Sequence, residues 1–210
     1  NKTPNARKWT SPSLVLAVTL LARFSLHAVE ITPIREIIVP AIPDRQDFQV
    51  PDRVRLTGWV GERIRGNEAN RLVKLDATRL LEGYRKWLHA ATLAWVYTGD
   101  PALREKLDYI AAELVKCQME DGYLGTYVES NRWRSWDVWA HKYNLLGLIT
   151  YARYTGNPAP LAACRRMADL LCNTFGDEPG KRDIIKSGPQ VGMAPTSVLE
   201  PMLLLYRLTG

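Results

Sequence analysis

From residue 86 onward, apolar residues recur at helical spacing and divide the chain into long helices. The pattern predicts five helices, which cover residues 86–97, 102–118, 136–154, 159–175 and 195–208. The first and third end in the same motif, Tyr-Thr-Gly followed by Asp-Pro or Asn-Pro. The fifth ends in Thr-Gly. This repetition predicts that the helical part of the chain is built from copies of one unit.

The repeated motif has the chemistry of a helix end followed by a helix start. Glycine ends a helix in the left-handed conformation, Asp100 or Asn157 caps the next helix, and proline occupies its first position. The glycines at 99, 156 and 210 are 57 and 54 residues apart, so each unit is a helical hairpin of about 55 residues. Hairpins of this length predict an all-α fold, the N-terminal part of an (α/α)6 barrel, in residues 74–210.

The first 73 residues follow another pattern. Residues 1–28 combine a basic start, an apolar run over 13–22 and small residues at the end, which is typical of a secretory signal and predicts a secreted or periplasmic protein. A buried amphipathic helix is the alternative. Residues 29–73 should form an extended segment that carries four prolines, followed by a strand over Val54–Val60 and a first helix after Glu62.

Charge and cysteine content exclude several classes of partner. The net charge is +6, but residues 1–28 contribute four basic residues and no acid, and we find no basic stripe in the remainder. We therefore expect no nucleic acid partner. No segment reaches the length of a membrane span, so we expect no membrane partner either. The three cysteines, Cys117, Cys164 and Cys172, do not form a disulfide framework, and we expect buried, unreactive thiols.

Two groups of polar and aromatic residues are candidates for a binding site. Gln118, Asp121 and Tyr123 follow a predicted helix and could contact sugar hydroxyls. The alternative is that Asp121 and Gly122 form the turn and Tyr123 packs on the barrel. His89 is expected to be structural. Glu200 is either a helix N-terminal carboxylate or a functional group.

The second candidate group lies at the start of the third helix. Trp136, Asp137 and His141 fall within a tryptophan-rich segment, and Asp137 and His141 are four residues apart, hence on one helix face. Asp137 could fix the tautomer of the imidazole and direct its other nitrogen into a cavity. A satisfied core histidine is the alternative. No pair of carboxylates suited to glycoside hydrolysis stands out, so the residues alone indicate a helical toroid with a carbohydrate-binding site.

Four stretches resemble glycoside hydrolase family 127, the β-L-arabinofuranosidases. They begin at Lys86 (KWLHAA), Gln118 (QMEDGYLGTY), Trp136 (WDVWAHKYN) and Gly192 (GMAPTSVLEPM), and the resemblance extends from about Val54 to Gly210. It implies a six-hairpin glycosidase barrel that acts on β-L-arabinofuranosides or related plant glycans, with a carbohydrate substrate. Another toroid enzyme, such as an epimerase or a lyase, and a non-catalytic helical scaffold are the alternatives.

The resemblance also implies a retaining mechanism with a cysteine nucleophile near a zinc ion and a glutamate acid/base. We expect these groups beyond Gly210, so that this chain alone contains no catalytic residue and binds no zinc. His141 matches a substrate-contacting histidine of the family. The chain departs from the family pattern where Arg85 runs directly into Lys86, as if a segment were deleted, and where Pro189 and Gln190 stand in place of a histidine.

Overall fold

The computed structural model describes residues 31–43, 45–46, 48–82 and 86–210, with the side chains of residues 80–82 left out. The predicted signal over 1–28 and the junction at Arg85 lie outside the described residues. Within them the fold is all-α, as expected, and contains no β-strand. The helices are α1 (Gly58–Asn67), α2 (Ala77–Glu82), α3 (Lys86–Thr98), α4 (Pro101–Lys116), α5 (Asp137–Thr155), α6 (Ala159–Thr174), α7 (Met193–Thr196) and α8 (Leu199–Thr209).

The repeated junctions adopt the predicted geometry. Gly99, Gly156 and Gly210 have φ values of 74°, 74° and 80°. The carboxylate of Asp100 accepts hydrogen bonds from the backbone N–H groups at the start of α4, and the side chain of Asn157 accepts from the first residue of α6. Each helix therefore ends and the next begins within three or four residues, which forces consecutive helices to fold back on each other.

The helices form two rows. In the inner row, α5 packs between α3 and α8. In the outer row, α4 and α6 pack against each other and cover the inner helices. The predicted hairpins α3–α4 and α5–α6 are therefore confirmed. The loop that precedes α5 and the first turns of α5 lie at the N-terminal end of this inner-row helix, and they carry the candidate site residues.

Helix α5 is the centre of the fold because it is buried on nearly every side. Leu145 and Leu148 are fully buried, and they pack in one core cluster with Leu103 and Leu107 of α4 and Met167 of α6. A helix that is buried on every side needs neighbours on every side, and α5 has them in α3, α6 and α8. The first turns of α5 are consequently held in a fixed position.

The segment before α1 is extended, as its prolines predict, and lies across the C-terminal ends of two inner helices. The backbone N–H of Ile34 donates to Arg153 at the end of α5, and that of Ile37 donates to Arg207 on α8, both at 2.8 Å. Glu36 forms ion pairs with the same two arginines, at 3.5 and 2.6 Å. The segment thus joins neighbouring inner helices at the end opposite the candidate site.

Three expectations were wrong. The segment Val54–Val60 is not a strand, because α1 begins at Gly58 after a short extended stretch that has no strand beside it among the described residues. The predicted helix over 195–208 is divided into α7 and α8 at Ser197 and Val198. Only Cys164 is a buried thiol, whereas Cys117 and Cys172 are exposed.

Over the part of the chain that the structure describes, no helix has the length and apolarity that a membrane span requires.

Candidate functional site

The carboxylate of Asp137, the first residue of α5, is buried and fully engaged within the protein. Its Oδ1 accepts a hydrogen bond of 2.8 Å from the hydroxyl of Tyr123, and its Oδ2 accepts one of 2.8 Å from the backbone N–H of Trp133. The Tyr123 hydroxyl in turn accepts from the backbone N–H of Tyr127 at 3.1 Å. Asp137 therefore fastens the long loop between α4 and α5 onto the start of α5.

His141 lies one turn further along α5 and is also fully buried. Its Nδ1 donates to the backbone carbonyl of Asp137 at 3.0 Å, and the carboxylate Oδ1 of Asp137 lies 3.6 Å from the same nitrogen. The imidazole packs against the rings of Tyr123 and Trp133, with centroid distances of 4.8 and 5.5 Å. Asp137 and His141 are thus neighbours on one face, as their spacing predicts, beneath an aromatic layer.

Burial affects Tyr123 strongly. Desolvation, reinforced by the hydrogen bond to the Asp137 carboxylate, raises the pKa of Tyr123 well above its usual range. The hydroxyl therefore keeps its proton, and it remains a donor to Asp137. Its ring is covered on the outside by the guanidinium of Arg132, 3.8 Å from the ring centroid.

Gln118 and Asp121 hold the turn that presents Tyr123. The Gln118 amide donates to the backbone carbonyls of Gly122 and Ala163, at 3.0 and 2.8 Å, so it ties the loop to α6. Asp121 accepts from the backbone N–H of Tyr123 at 2.9 Å and pairs with Arg132 at 2.6 Å. Partial burial alone would raise the pKa of Asp121. These two contacts outweigh it and hold the pKa of Asp121 below its usual value. The Gln118 amide and the Asp121 carboxylate thus both have partners within the protein.

A different face of α5 is open and aromatic. Trp136, Trp139 and Tyr143 follow each other at helical spacing and form edge-to-face pairs, with ring centroids 5.2 and 4.6 Å apart. We call these three residues the aromatic stripe. The ammonium of Lys86, at the start of α3, lies over the rings of Trp139 and Tyr143, 4.6 and 4.7 Å from their centroids.

The aromatic stripe forms one wall of a cleft of about 470 Å³. The other walls come from the end of α1 and its continuation, from α3, and from the loop before α5. The lining residues are Asn67, Arg71, Leu72, Leu75, Lys86, Trp87, Ala90, Thr126, Tyr127, Trp136, Trp139, Ala140 and Tyr143. This volume is in the range of small-molecule sites.

The structure divides the six residues predicted for the site into two groups. Trp136 lines the cleft. Tyr123, Asp137 and His141 form a buried cluster behind it, and Gln118 and Asp121 support the loop that covers this cluster. Sugar contact by any of the six stays a prediction. Trp139, Tyr143 and Lys86 were not selected from the sequence, although the spacing 136, 139, 143 is itself that of a helix face.

Two further candidates have structural partners. His89 forms a hydrogen bond of 2.8 Å through Nδ1 with the hydroxyl of Thr150, so it joins α3 to α5. Glu200, in the first turn of α8, forms an ion pair of 3.2 Å with Lys142. The carboxylate is more than half exposed, and it joins α8 to α5. Both contacts lie on the inner row of helices.

The zinc ion implied by the resemblance does not fit the described residues. No group of three or more His, Cys, Asp and Glu side chains among them is arranged to hold a metal ion. The cysteines are separated, and burial raises the pKa of the Cys164 thiol to about 12, which keeps it protonated and poorly nucleophilic.

Comparison with known proteins decides the family. The model of the beta-L-arabinofuranosidase catalytic domain of glycoside hydrolase family 127 matches residues 41–210. The chain belongs to this family. The matched region contains α1 to α8 and both groups of site residues. The first forty residues, which include the predicted signal, lie outside it.

A curated relative agrees with the family. The chain is 28% identical over 127 residues to a non-reducing end beta-L-arabinofuranosidase from Bifidobacterium longum subsp. longum. The alignment covers 55% of this chain and 19% of that protein. The chain thus spans about a fifth of the length of the curated relative it matches.

Proposed function

We propose that this chain is part of an exported, retaining glycoside hydrolase that acts on β-L-arabinofuranosides or related plant glycans, and that its open cleft binds the carbohydrate. The observation that carries the proposal is the aromatic cleft at the start of α5, in a chain of family 127. The basic and apolar leader supports export.

The chemistry of the cleft suits a sugar. A sugar ring has apolar C–H faces and a polar rim, and indole and phenol rings offer flat surfaces for the former. Trp136 is 40% exposed and therefore available for such stacking. Asn67, Thr126 and Tyr127 supply hydrogen-bonding groups on the opposite walls. A few polar groups among apolar ones are the usual composition of a ligand cleft.

We further propose that the buried cluster behind the cleft holds the wall of the cleft in position and takes no part in the reaction. The Asp137 carboxylate holds the loop that carries Thr126 and Tyr127, and His141 supports the ring of Tyr123 from below. Because both acceptor atoms of Asp137 are occupied within the protein, its role is to fix the wall of the cleft. The chain's contribution to turnover is then binding and orientation of the substrate.

The reacting groups would come from elsewhere in the enzyme. Retaining hydrolysis uses a nucleophile and an acid/base about 5–5.5 Å apart when both are carboxyl groups, and the cleft lining among the described residues contains no carboxylate and no thiol. The two helical rows seen here would then be the first part of an (α/α)6 barrel. We expect residues 29–210 alone to be inactive.

The test compares two proteins on an aryl β-L-arabinofuranoside: the 210-residue chain and the product of the full-length gene. We expect release of the aryl group only by the longer protein, with the β-configured sugar as the first product in proton NMR. Turnover by the short chain that is lost on substitution of Cys117, Cys164 or Cys172 would overturn the assignment of the reacting groups. An α-configured first product would overturn the retaining mechanism.

A matched pair of variants tests the cleft itself. Trp139→Ala in the longer protein should raise KM by about tenfold, in line with the loss of one sugar–aromatic contact worth ~1.4 kcal/mol. Tyr109→Ala removes an aromatic side chain that is about half exposed on the outer helix α4, outside the cleft. It should leave KM unchanged. Equal effects of the two substitutions would count against the cleft as the carbohydrate site.

A further inference from the structure

Lys86 differs from the other described cations that lie over aromatic rings. Arg104, Arg132 and Lys142 each lie over a ring and also form an ion pair with a carboxylate, Asp108, Asp121 and Glu200 respectively. Lys86 lies over two rings of the aromatic stripe, and no ion pair is formed by it among the residues whose side chains are described. The rings hold its charge in place, and no described carboxylate neutralises it.

A second cation approaches the same cleft from another element. Arg71 belongs to the single wide turn, Glu68–Leu72, that continues α1, and it also lines the cleft. No ion pair involves Arg71 within the described part of the chain. The described lining thus contains two cations and no carboxylate, an asymmetry that makes the cleft electropositive.

From this arrangement we propose that the cleft takes a carboxylate-bearing sugar, such as a uronic acid, with the carboxylate on Lys86 and Arg71. This inference rests on the proposed function, because it specifies the class of carbohydrate that the cleft would bind. The aromatic stripe stacks on the apolar face of the sugar ring, and the two cations bind its carboxylate. Neutral cleft residues such as Asn67 and Thr126 meet the hydroxyl groups.

Cation–π contacts with two rings explain the position of Lys86. The negative faces of two aromatic rings attract the ammonium, and this attraction restricts a side chain that is otherwise highly mobile. Ring faces do not neutralise the charge as a carboxylate does. The ammonium is therefore positioned in advance for an anion that enters the cleft, and a charge-assisted hydrogen bond to it is stronger than one between neutral groups.

The experiment measures binding of three saccharides to the 210-residue chain by titration calorimetry at low ionic strength. The saccharides are trigalacturonate, its fully methyl-esterified form, and a neutral L-arabinofuranosyl trisaccharide. Triglutamate serves as an anion without sugar rings. We expect trigalacturonate to bind about tenfold more tightly than its methyl ester, with a preference that decreases as salt is added.

Variants assign the preference to a residue. Lys86→Met keeps the length and apolar character of the side chain and should remove the preference for the acid over the ester. Lys116→Met, at the exposed end of the outer helix α4, should retain it. Thermal unfolding of both variants checks that they are folded. Arg71→Gln should reduce the preference in part.

The outcomes separate the two proposals. Equal affinity for the acid and the ester, or a preference that survives Lys86→Met, would overturn the acidic-sugar site but leave a carbohydrate cleft in place. Triglutamate that binds as tightly as trigalacturonate would replace a sugar site by a general anion site and overturn the inference. Binding of the neutral arabinofuranosyl trisaccharide alone would support the proposed function and overturn the acidic preference. No binding of any saccharide would overturn both.

Discussion

The two faces of the start of α5 have opposite relations to the rest of the protein. On one face, Asp137, His141 and Asn144 are fully buried, and each is hydrogen-bonded within the protein, Asn144 through its amide to the carbonyl of Leu124 at 2.6 Å. We call these three residues the polar stripe. On the other face, the aromatic stripe lines an open cleft beside an ammonium. Polar residues are inside and aromatic residues face the opening.

This inversion shows that residue type alone does not identify a binding surface. The polar stripe is the face that chemistry-based reasoning selects first, because carboxylate and imidazole groups are reactive. Asp137 and Asn144 hydrogen-bond to the loop before α5, and His141 hydrogen-bonds to the first residue of α5, so this stripe maintains the shape of the site. The aromatic stripe resembles a core, yet it lacks a covering element among the described residues. Substitutions on the two faces should therefore separate stability from binding.

The largest effect is expected from Asp137→Ala. The change leaves the Tyr123 hydroxyl and the Trp133 N–H without their acceptor in a buried setting, and hydrogen bonds to a charged group contribute about 1.5–3 kcal/mol each. We expect a loss of about 3 kcal/mol in the free energy of unfolding, measured by urea denaturation. Asp169→Ala, on the exposed side of the outer helix α6, is the matched control and should change it by less than about 0.5 kcal/mol. Equal stability of Asp137→Ala and the parent chain would show that the polar stripe is not a structural support.

Tyr123→Phe should have an intermediate effect. It removes only the hydroxyl, which donates to Asp137 and accepts from the N–H of Tyr127, and it keeps the ring that packs on His141. We expect a loss of about 1.5 kcal/mol in the free energy of unfolding. Tyr206→Phe, on a tyrosine that is about half exposed on α8, should be neutral in the same assay. A neutral Tyr123→Phe would mean that the loop is held by other contacts.

Much of this arrangement could be predicted from the sequence, and the reasons for the failures are physical. Helix periodicity and the capping motifs located α3 to α6 to within two residues, because these signals are local. The segment Val54–Val60 alternates like a strand, but pairing requires a second strand, and sequence alternation does not supply one. The continuous helix predicted over 195–208 breaks at Ser197 and Val198, because Pro201 has no N–H to donate to the carbonyl of Ser197 and its ring clashes with that carbonyl in a regular helix.

The candidate site shows the same limit. The spacing of Asp137 and His141 placed them correctly on one face, because four residues make one helical turn. Their partners Tyr123 and Trp133 come from a loop, and periodicity does not say which helix face a loop covers. The cleft needs α1, α3 and α5 together, so Lys86 could not be placed beside Trp139 before the fold was known.

Trp139→Ala tests the aromatic stripe on the other face of α5. It should affect binding more than stability. The side chain is only partly buried, so we expect a loss of about 1 kcal/mol in the free energy of unfolding, less than for Asp137→Ala. Affinity for the trisaccharide that binds the parent chain should nevertheless fall by about tenfold, because a stacking surface and the support of Lys86 are both removed. A loss of stability as large as that of Asp137→Ala, with affinity unchanged, would show that the aromatic stripe is core and would break the comparison.

The smallest effect concerns His89, which contacts α5 through Thr150, outside both stripes. Burial lowers the pKa of His89, and the opposing effect of Glu200 is smaller. The unfolded chain therefore binds a proton more readily than the folded one, at the ordinary histidine pKa of about 6.5. Stability from the neutral imidazole is complete well above that pH and decreases as the pH falls through it. His89→Gln keeps a group that can hydrogen-bond Thr150 but does not titrate, so the difference in urea midpoint between pH 7.5 and pH 5 should be smaller in the variant than in the parent chain. The same difference in both proteins would show that His89 is equally easy to protonate in the folded and unfolded chain, and that the contact between α3 and α5 is independent of its charge.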